Sequence, residues 1–151
     1  MARGAYDPDA PAPKQFRNPV HAVVISDDGL VYVGDRTNNR IQVFQKDGTF
    51  VDEFFVARRT LGGGAASDVD FSPDVDQIFL YNADGSNGQL WILQRVDLTI
   101  LSSFGRQGRM IGQHYFPHNM AADSQGNLYT GEVGQGRRAQ KFILQSQSEI
   151  D

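Results

Sequence analysis

The sequence predicts an all-β chain of about three four-stranded antiparallel propeller blades, and three observations carry that expectation. From Phe16 onward the chain is a series of short apolar or alternating runs, AVVIS, LVYVG, RIQVF and FVDEFF, which is strand patterning. Between them stand DDG, DRTNN and KDG, and Asp-Gly supplies the positive φ angles that tight hairpin turns require. Third, the chain repeats itself. NPVHAVVISDDGLVYVGDRTNNRIQVF aligns with FPHNMAADSQGNLYTGEVGQGRRAQKF, pairing His21 with His118, Gly29 with Gly126, Tyr32 with Tyr129 and Asp35 with Glu132, each pair 97 residues apart. A degenerate copy lies between them, with Tyr81 and Asp84 placed 49 residues after Tyr32 and Asp35. Two repeats in 97 residues give about 48 residues each, the length of a four-stranded blade.

Taken in order, residues 1–15 carry Pro8, Pro11 and Pro13 and read as a linker or inter-blade loop. Residues 16–151 read as the propeller segment, with blades at about 16–60, 61–105 and 115–151. Strands are expected near 22–26, 30–34, 40–45, 50–55, 67–71, 78–82, 89–94, 98–103, 119–123, 127–131 and 138–143. Gly29 and Gly126 close the first hairpin of their blades. Asp35, Asp84 and Glu132 end second strands, where a carboxylate accepts turn amides or meets Arg40 or Arg138 at the start of the next strand. Tyr32, Phe44, Leu80, Trp91, Tyr129 and Phe142 are the expected large core side chains.

Composition narrows the function classes. The chain of 151 residues has 14 Lys+Arg against 18 Asp+Glu, a net charge of −4, so the basic footprint of a nucleic-acid binder is missing. It has no cysteine, hence no disulfide framework, thiolate metal site or cysteine nucleophile. No run approaches the ~20 apolar residues that cross a bilayer, so no membrane partner is expected. The opening MARGAYDPDAPAPKQF lacks the apolar core of a secretory signal, which leaves a soluble chain of open compartment.

The run of P-x-H or PH, an apolar strand, S-D-D-G or S-Q-G, and then VYVGDRTNNRIQVF resembles the NHL repeat from Phe16 to about Phe142. In character it is most similar to bacterial relatives of the peptidyl-α-hydroxyglycine α-amidating lyases. That resemblance implies a six-bladed ring with radially ordered strands and a central channel. It also implies zinc held in the channel by histidines from alternate blades, with a calcium nearby. His21 and His118 occupy the matching start of a first strand two blades apart, and Ser67 fills that place in the blade between. The third histidine of the lyase pattern would come from blades this chain does not contain. Asn119 stands where the lyases have an aspartate linked to calcium.

Each candidate has two readings. His21 and His118 are metal ligands at the channel mouth, or a hydrogen-bonded pair preceding a strand. Arg36, Arg106, Arg109 and Asn119 are candidate ligand-contacting residues of the channel and loop face, the two middle ones lying in the Gly-rich stretch SSFGRQGRMIGQHYFPH. His114, outside the repeat register, is expected at the surface. Asp68, Asp70, Asp74 and Asp76 lack the spacing of a calcium loop and read as a solvated face and a turn. Gly62, Gly63 and Gly64 read as an inter-blade crossing, with no Lys-Ser/Thr following to make a phosphate cradle.

Two functions follow as expectations. The first is a non-catalytic module binding a protein, peptide or small ligand at the loop and channel face. The second is a metal-dependent, lyase-like enzyme assembled only when enough blades come together, with zinc or calcium as cofactor. A third possibility is a segment that folds without activity. Three blades leave two uncovered end faces, so the expected partner is a second copy, a homodimer completing the ring.

Overall fold

A computed structural model describes residues 5–145. It contains eleven strands: β1 (Ala22–Ile25), β2 (Val31–Asp35), β3 (Arg40–Phe44), β4 (Phe50–Phe55), β5 (Asp68–Phe71), β6 (Phe79–Asp84), β7 (Gln89–Gln94), β8 (Ile100–Phe104), β9 (Pro117–Ala122), β10 (Leu128–Glu132) and β11 (Ala139–Phe142). All eleven fall where the alternating runs place them. Among the described residues the sole helical turn is the 3-10 turn Arg36–Asn38 between β2 and β3.

The strands form three antiparallel meanders. Blade 1 is β1-β2-β3-β4, blade 2 is β5-β6-β7-β8, and blade 3 is β9-β10-β11 in the described residues. The expected extent of blade 3 past residue 145 lies outside them. The first hairpins turn as the Asp-Gly and Gln-Gly pairs require: Gly29 and Gly126 have φ of 88° and 84°, and their N–H groups donate to Ser26 O and Asp123 O. The innermost strands sit side by side, β1 against β5 and β5 against β9, so the three blades turn about a common inner edge.

Period-two alternation gives each sheet two faces, and the core lies between the sheets. Val24, Tyr32, Ile41, Val43 and Phe54 of blade 1 pack on Val69, Phe71, Leu80, Trp91 and Leu93 of blade 2. Tyr81, Ala83, Leu90, Ile92 and Phe104 of blade 2 pack on Met120, Ala122, Leu128 and Phe142 of blade 3. Tyr129 departs from its expected core role and is exposed, because its face looks away from blade 2.

Repeated polar residues tie the loops to this core. Arg40 Nε donates to Asp35 Oδ2 at 2.9 Å and Arg138 Nε to Glu132 Oε1 at 2.7 Å, the two carboxylate–arginine pairs anticipated from the repeat. In blade 2, Asp84 takes the Asn87 amide at 3.0 Å and Trp91 Nε1 at 3.0 Å instead. Arg40 also donates to the carbonyls of Pro13 and Gln15, holding that part of the proline-rich segment against blade 1.

Candidate site on the inner edge of the blades

His21 immediately precedes β1, and its N–H joins the sheet by donating to Gly34 O at 2.9 Å. His118 is the second residue of β9. Because these are equivalent positions of two blades turned about one inner edge, their side chains converge from opposite sides of β5. The Nε2 atoms lie 3.1 Å apart, and the rings meet edge-on with centroids 4.5 Å apart and planes at 74°. A separation of 97 residues in sequence thus becomes a direct contact.

Both rings are held from behind. His21 Nδ1 is bonded to the backbone carbonyl of Ser67, the residue that replaces histidine in blade 2. His118 Nδ1 is 2.9 Å from Asn119 Oδ1. A carbonyl oxygen only accepts, so each Nδ1 carries a proton, and the two Nε2 atoms either share one proton in a hydrogen bond or both present lone pairs. Burial lowers the pKa of His21, and the nearby charges of Arg36 and His118 lower it further, while the Ser67 carbonyl and the charge of Asp68 raise it.

Arg36 begins the 3-10 turn after β2, half-buried, with its Nε buried and without a hydrogen-bond partner in the described structure. Burial lowers its pKa. Its turn is seated by Gly64, where a Cβ would lie 2.0 Å from Arg36 O. Asn119 thus holds the His118 ring, and the Arg36 guanidinium, its Nε without a hydrogen-bond partner among the described residues, lies close enough to His21 to act on its charge. Arg106 and Arg109 are not brought to the histidines among the contacts described. Arg109 donates to Gln135 Oε1 and lies 5.9 Å from the centre of the Tyr115 ring, and Arg106 lines a separate open depression with Met110 and Ile111.

Two expectations need correction. His114 is fully buried rather than at the surface: Nδ1 bonds Gly88 O at 3.0 Å, the ring packs on Phe142, and Nε2 has no hydrogen-bond partner among the described residues. Asp68 and Asp70 do share a face, but that face meets blade 3 rather than solvent. Asp68 Oδ2 accepts Met120 N–H at 2.8 Å and Asp70 Oδ2 accepts Ala122 N–H at 2.6 Å, which caps the open inner edge of β9. Asp74 is likewise committed to Ser72 and to Ile78 N–H, so these carboxylates form turns and edges, not a calcium cage. Asp68 and the Ser67 carbonyl were the site features that sequence reasoning missed. Their signal was the register itself, which places them beside His21.

The model of the NHL repeat matches residues 16–44, the stretch holding His21, Arg36 and Asp35. The chain carries an NHL repeat. This NHL-repeat chain is 31% identical over 134 residues to peptidyl-glycine alpha-amidating monooxygenase B of Xenopus laevis, a match covering 82% of the chain and 14% of that protein. The chain thus spans a small part of that relative's length. Among solved structures it resembles streptogramin B lyase, with a TM-score of 0.64 at 14% identity over 87% of this chain and 40% of that one. It also resembles hydrazine synthase of Kuenenia stuttgartiensis, with a TM-score of 0.57 at 18% identity over 75% of this chain and 30% of that one. These likenesses agree with three NHL-type β-propeller blades.

Proposed function

We propose that this segment binds a small or peptide ligand at the inner edge of its blades, with His21 and His118 as two ligands of a divalent metal, zinc by preference, and Arg36 as the receptor for an anionic group. One observation carries the reading: two imidazole Nε2 atoms face each other at 3.1 Å while both Nδ1 atoms are occupied by acceptors. Two neutral imidazoles in that arrangement would set lone pair against lone pair, which either a shared proton or a metal cation between them relieves, and the metal is the reading we favour. The residues fit zinc. Two Zn–N bonds of about 2.0–2.1 Å at a tetrahedral angle set the nitrogens about 3.3 Å apart, and a backbone carbonyl and an amide oxygen behind the rings are the usual outer partners of metal-bound histidine.

Arg36 determines the ligand class. A guanidinium beside a metal concentrates positive charge, which an anionic ligand neutralises, and a carboxylate matches the guanidinium fork. The Xenopus relative is named for peptidyl-glycine, whose chain end is a carboxylate, which supports a peptide with a free C-terminus. Bound zinc would supply a Lewis acid. This chain's residues orient the two imidazoles, keep their protons on Nδ1 and hold the anion.

A catalytic, lyase-like reading is favoured by that same relative. It requires a third protein ligand, and among the described residues no group of three His, Cys, Asp or Glu could hold a metal. The catalytic reading therefore needs further blades, whereas binding does not. Zinc titration by calorimetry with elemental analysis tests the proposal. One zinc per site, lost in both His21→Ala and His118→Ala, is expected; metal-free protein at excess zinc overturns it.

A further inference from the structure

The two loops that join one blade to the next repeat each other beyond what their turns require. In blade 1 Gly34 pairs with Ile41 and Ile41 with Phe54; in blade 2 Ala83 pairs with Leu90 and Leu90 with Phe104, so Phe54 and Phe104 hold one position. Counted from there, Arg59 matches Arg109, Leu61 matches Ile111 and Gly62 matches Gly112, each pair 50 residues apart. The glycines make the turns, with φ of 73° and 77°. The other residues serve neither turn nor core: Arg59 and Arg109 are exposed, and Leu61 and Ile111 are 66% and 97% exposed.

At the first loop the chain itself shows what such a tip holds. The segment AYDPDAP lies across it: Arg59 Nη1 meets Asp9 Oδ1 at 2.7 Å, Arg58 Nη2 donates to Ala10 O at 2.7 Å, and Tyr6 Oη donates to Arg58 O at 2.7 Å. Ala5 and Tyr6 share an open depression with Leu61 and Gly62. An acidic, proline-containing segment thus takes one arginine by a carboxylate and the next by a backbone carbonyl, with its aromatic residue on the side of the aliphatic tip.

The second loop offers the same groups. It is fastened on both sides, Gln107 donating to Ser86 O at 2.8 Å in blade 2 and Arg138 to Arg109 O at 2.6 Å in blade 3, so its tip is held in place. An open depression of about 460 Å³ runs past Arg106, Met110 and Ile111. Arg58 has no counterpart there, its register position being Gly108, and Arg106 supplies the second guanidinium from two residues earlier. Among the described residues no carboxylate answers these cations. Arg109 meets the Gln135 side-chain oxygen and the Tyr115 ring, and the sequence holds no Asp or Glu from Leu98 to Ala122. Glu132 is taken by Arg138 and the Tyr115 N–H, and Asp84 by Asn87 and Trp91. We infer that loop 105–113 docks an acidic, proline-containing peptide segment of a partner, its carboxylates on Arg106 and Arg109 and its apolar side chains on Met110 and Ile111. A carboxylate matches the guanidinium fork, and a proline-stiffened segment loses little freedom on binding. The site is separate from His21 and His118 and needs no metal.

The probe is the synthetic peptide AYDPDAPAP with an amidated C-terminus, titrated into isotope-labelled protein with a chelator present, so that neither a chain-end carboxylate nor zinc contributes. The amide signals of Arg106 to Gln113 are expected to shift saturably, and AYNPNAPAP, with both aspartates replaced by asparagine, should bind at least tenfold more weakly. Arg109→Glu should lose at least tenfold in affinity. Lys46→Glu changes the net charge equally at the opposite end of the blades and should lose less than twofold. Both variants should keep the wild-type circular dichroism spectrum; where Arg109→Glu does not, Arg109→Gln is read in its place, with a loss of at least threefold. The inference is overturned by unmoved signals at Arg106 to Gln113, by equal binding of the two peptides, or by equal losses in the arginine and lysine variants. A protein that ignores the peptide but binds phosphatidylserine vesicles through Arg109 overturns it as well. Zinc binding at His21 and His118 is a separate measurement that none of these outcomes decides.

Discussion

Arg40 and Asp35 form an ion pair at 2.9 Å in which neither side chain reaches solvent, and the same guanidinium also meets Glu53 at 2.8 Å. Desolvating both charges is costly, so the pair matters less for what it adds than for what is left when it is broken. Asp35→Ala leaves a buried guanidinium short of its partner and is expected to cost about 3–5 kcal/mol in urea denaturation. Disrupting the exposed Arg59–Asp9 pair should cost less than about 1 kcal/mol.

Truncations separate true core positions from end-face positions. Leu80→Ala and Ile41→Ala each remove a fully buried side chain between blades 1 and 2 and are expected to cost about 2–5 kcal/mol. Tyr129→Ala should cost about 1 kcal/mol or less, because its ring is partly solvated. Equal losses at all three positions would show that the blade 3 face is covered in solution.

These contrasts mark how far the sequence reaches. The eleven strands and the meeting of His21 with His118 were legible because alternation, Asp-Gly turns and a repeat of fixed period are local or self-referential signals. The fate of Asp68 and Asp70 was only half legible: alternation put them on one face, but whether that face meets water or the amides of β9 depends on how blade 3 docks. His114 left no signal in the register. It is buried because Gly105 and Gly88, far from it or loosely spaced in sequence, leave room where side chains would stand, a Cβ on Gly105 coming within 2.6 Å of His114 Nδ1. Arg106 and Arg109 sit in the kind of loop that carries ligands, yet that loop is fastened to blade 3 by Arg138, which donates to the carbonyls of Arg109 and Gln113.

Gly64 offers a test of how Arg36 is placed. It adopts φ of +79°, and a Cβ there would lie 2.0 Å from Arg36 O, with the Arg36 and Thr37 backbone behind it. Gly48 has a similar φ of +90° with open space around it. Gly48→Ala is expected to cost about 1 kcal/mol from backbone strain alone. Gly64→Ala carries that strain plus a backbone collision, so it should cost at least about 1 kcal/mol more and weaken anion binding at the Arg36 turn. Matching losses of stability in the two variants, with unchanged binding, would detach Gly64 from the site.

His114 makes stability depend on pH in a defined direction. Burial lowers its pKa below the ordinary 6.5, against the opposing pull of its bond to Gly88 O and the charge of Glu132, while Arg138 adds to the lowering. With Nε2 unpartnered and the ring against Phe142, the neutral form is the one the fold accommodates. The unfolded chain therefore binds a proton at His114 more readily than the folded chain does, and stability falls wherever that difference is expressed. The contribution is complete above about pH 6.5, the unfolded value, and is lost as pH falls from there toward the lower folded value. His21, whose pKa is also lowered, acts in the same direction. Urea midpoints taken between pH 7.5 and 5 are thus expected to drop more steeply for wild type than for His114→Gln, which cannot titrate; the steepness that remains in the variant belongs to other groups, His21 among them. Parallel pH profiles for the two proteins would mean that His114 is protonated as easily in the fold as in the unfolded chain, and that the ring is not sealed from solvent.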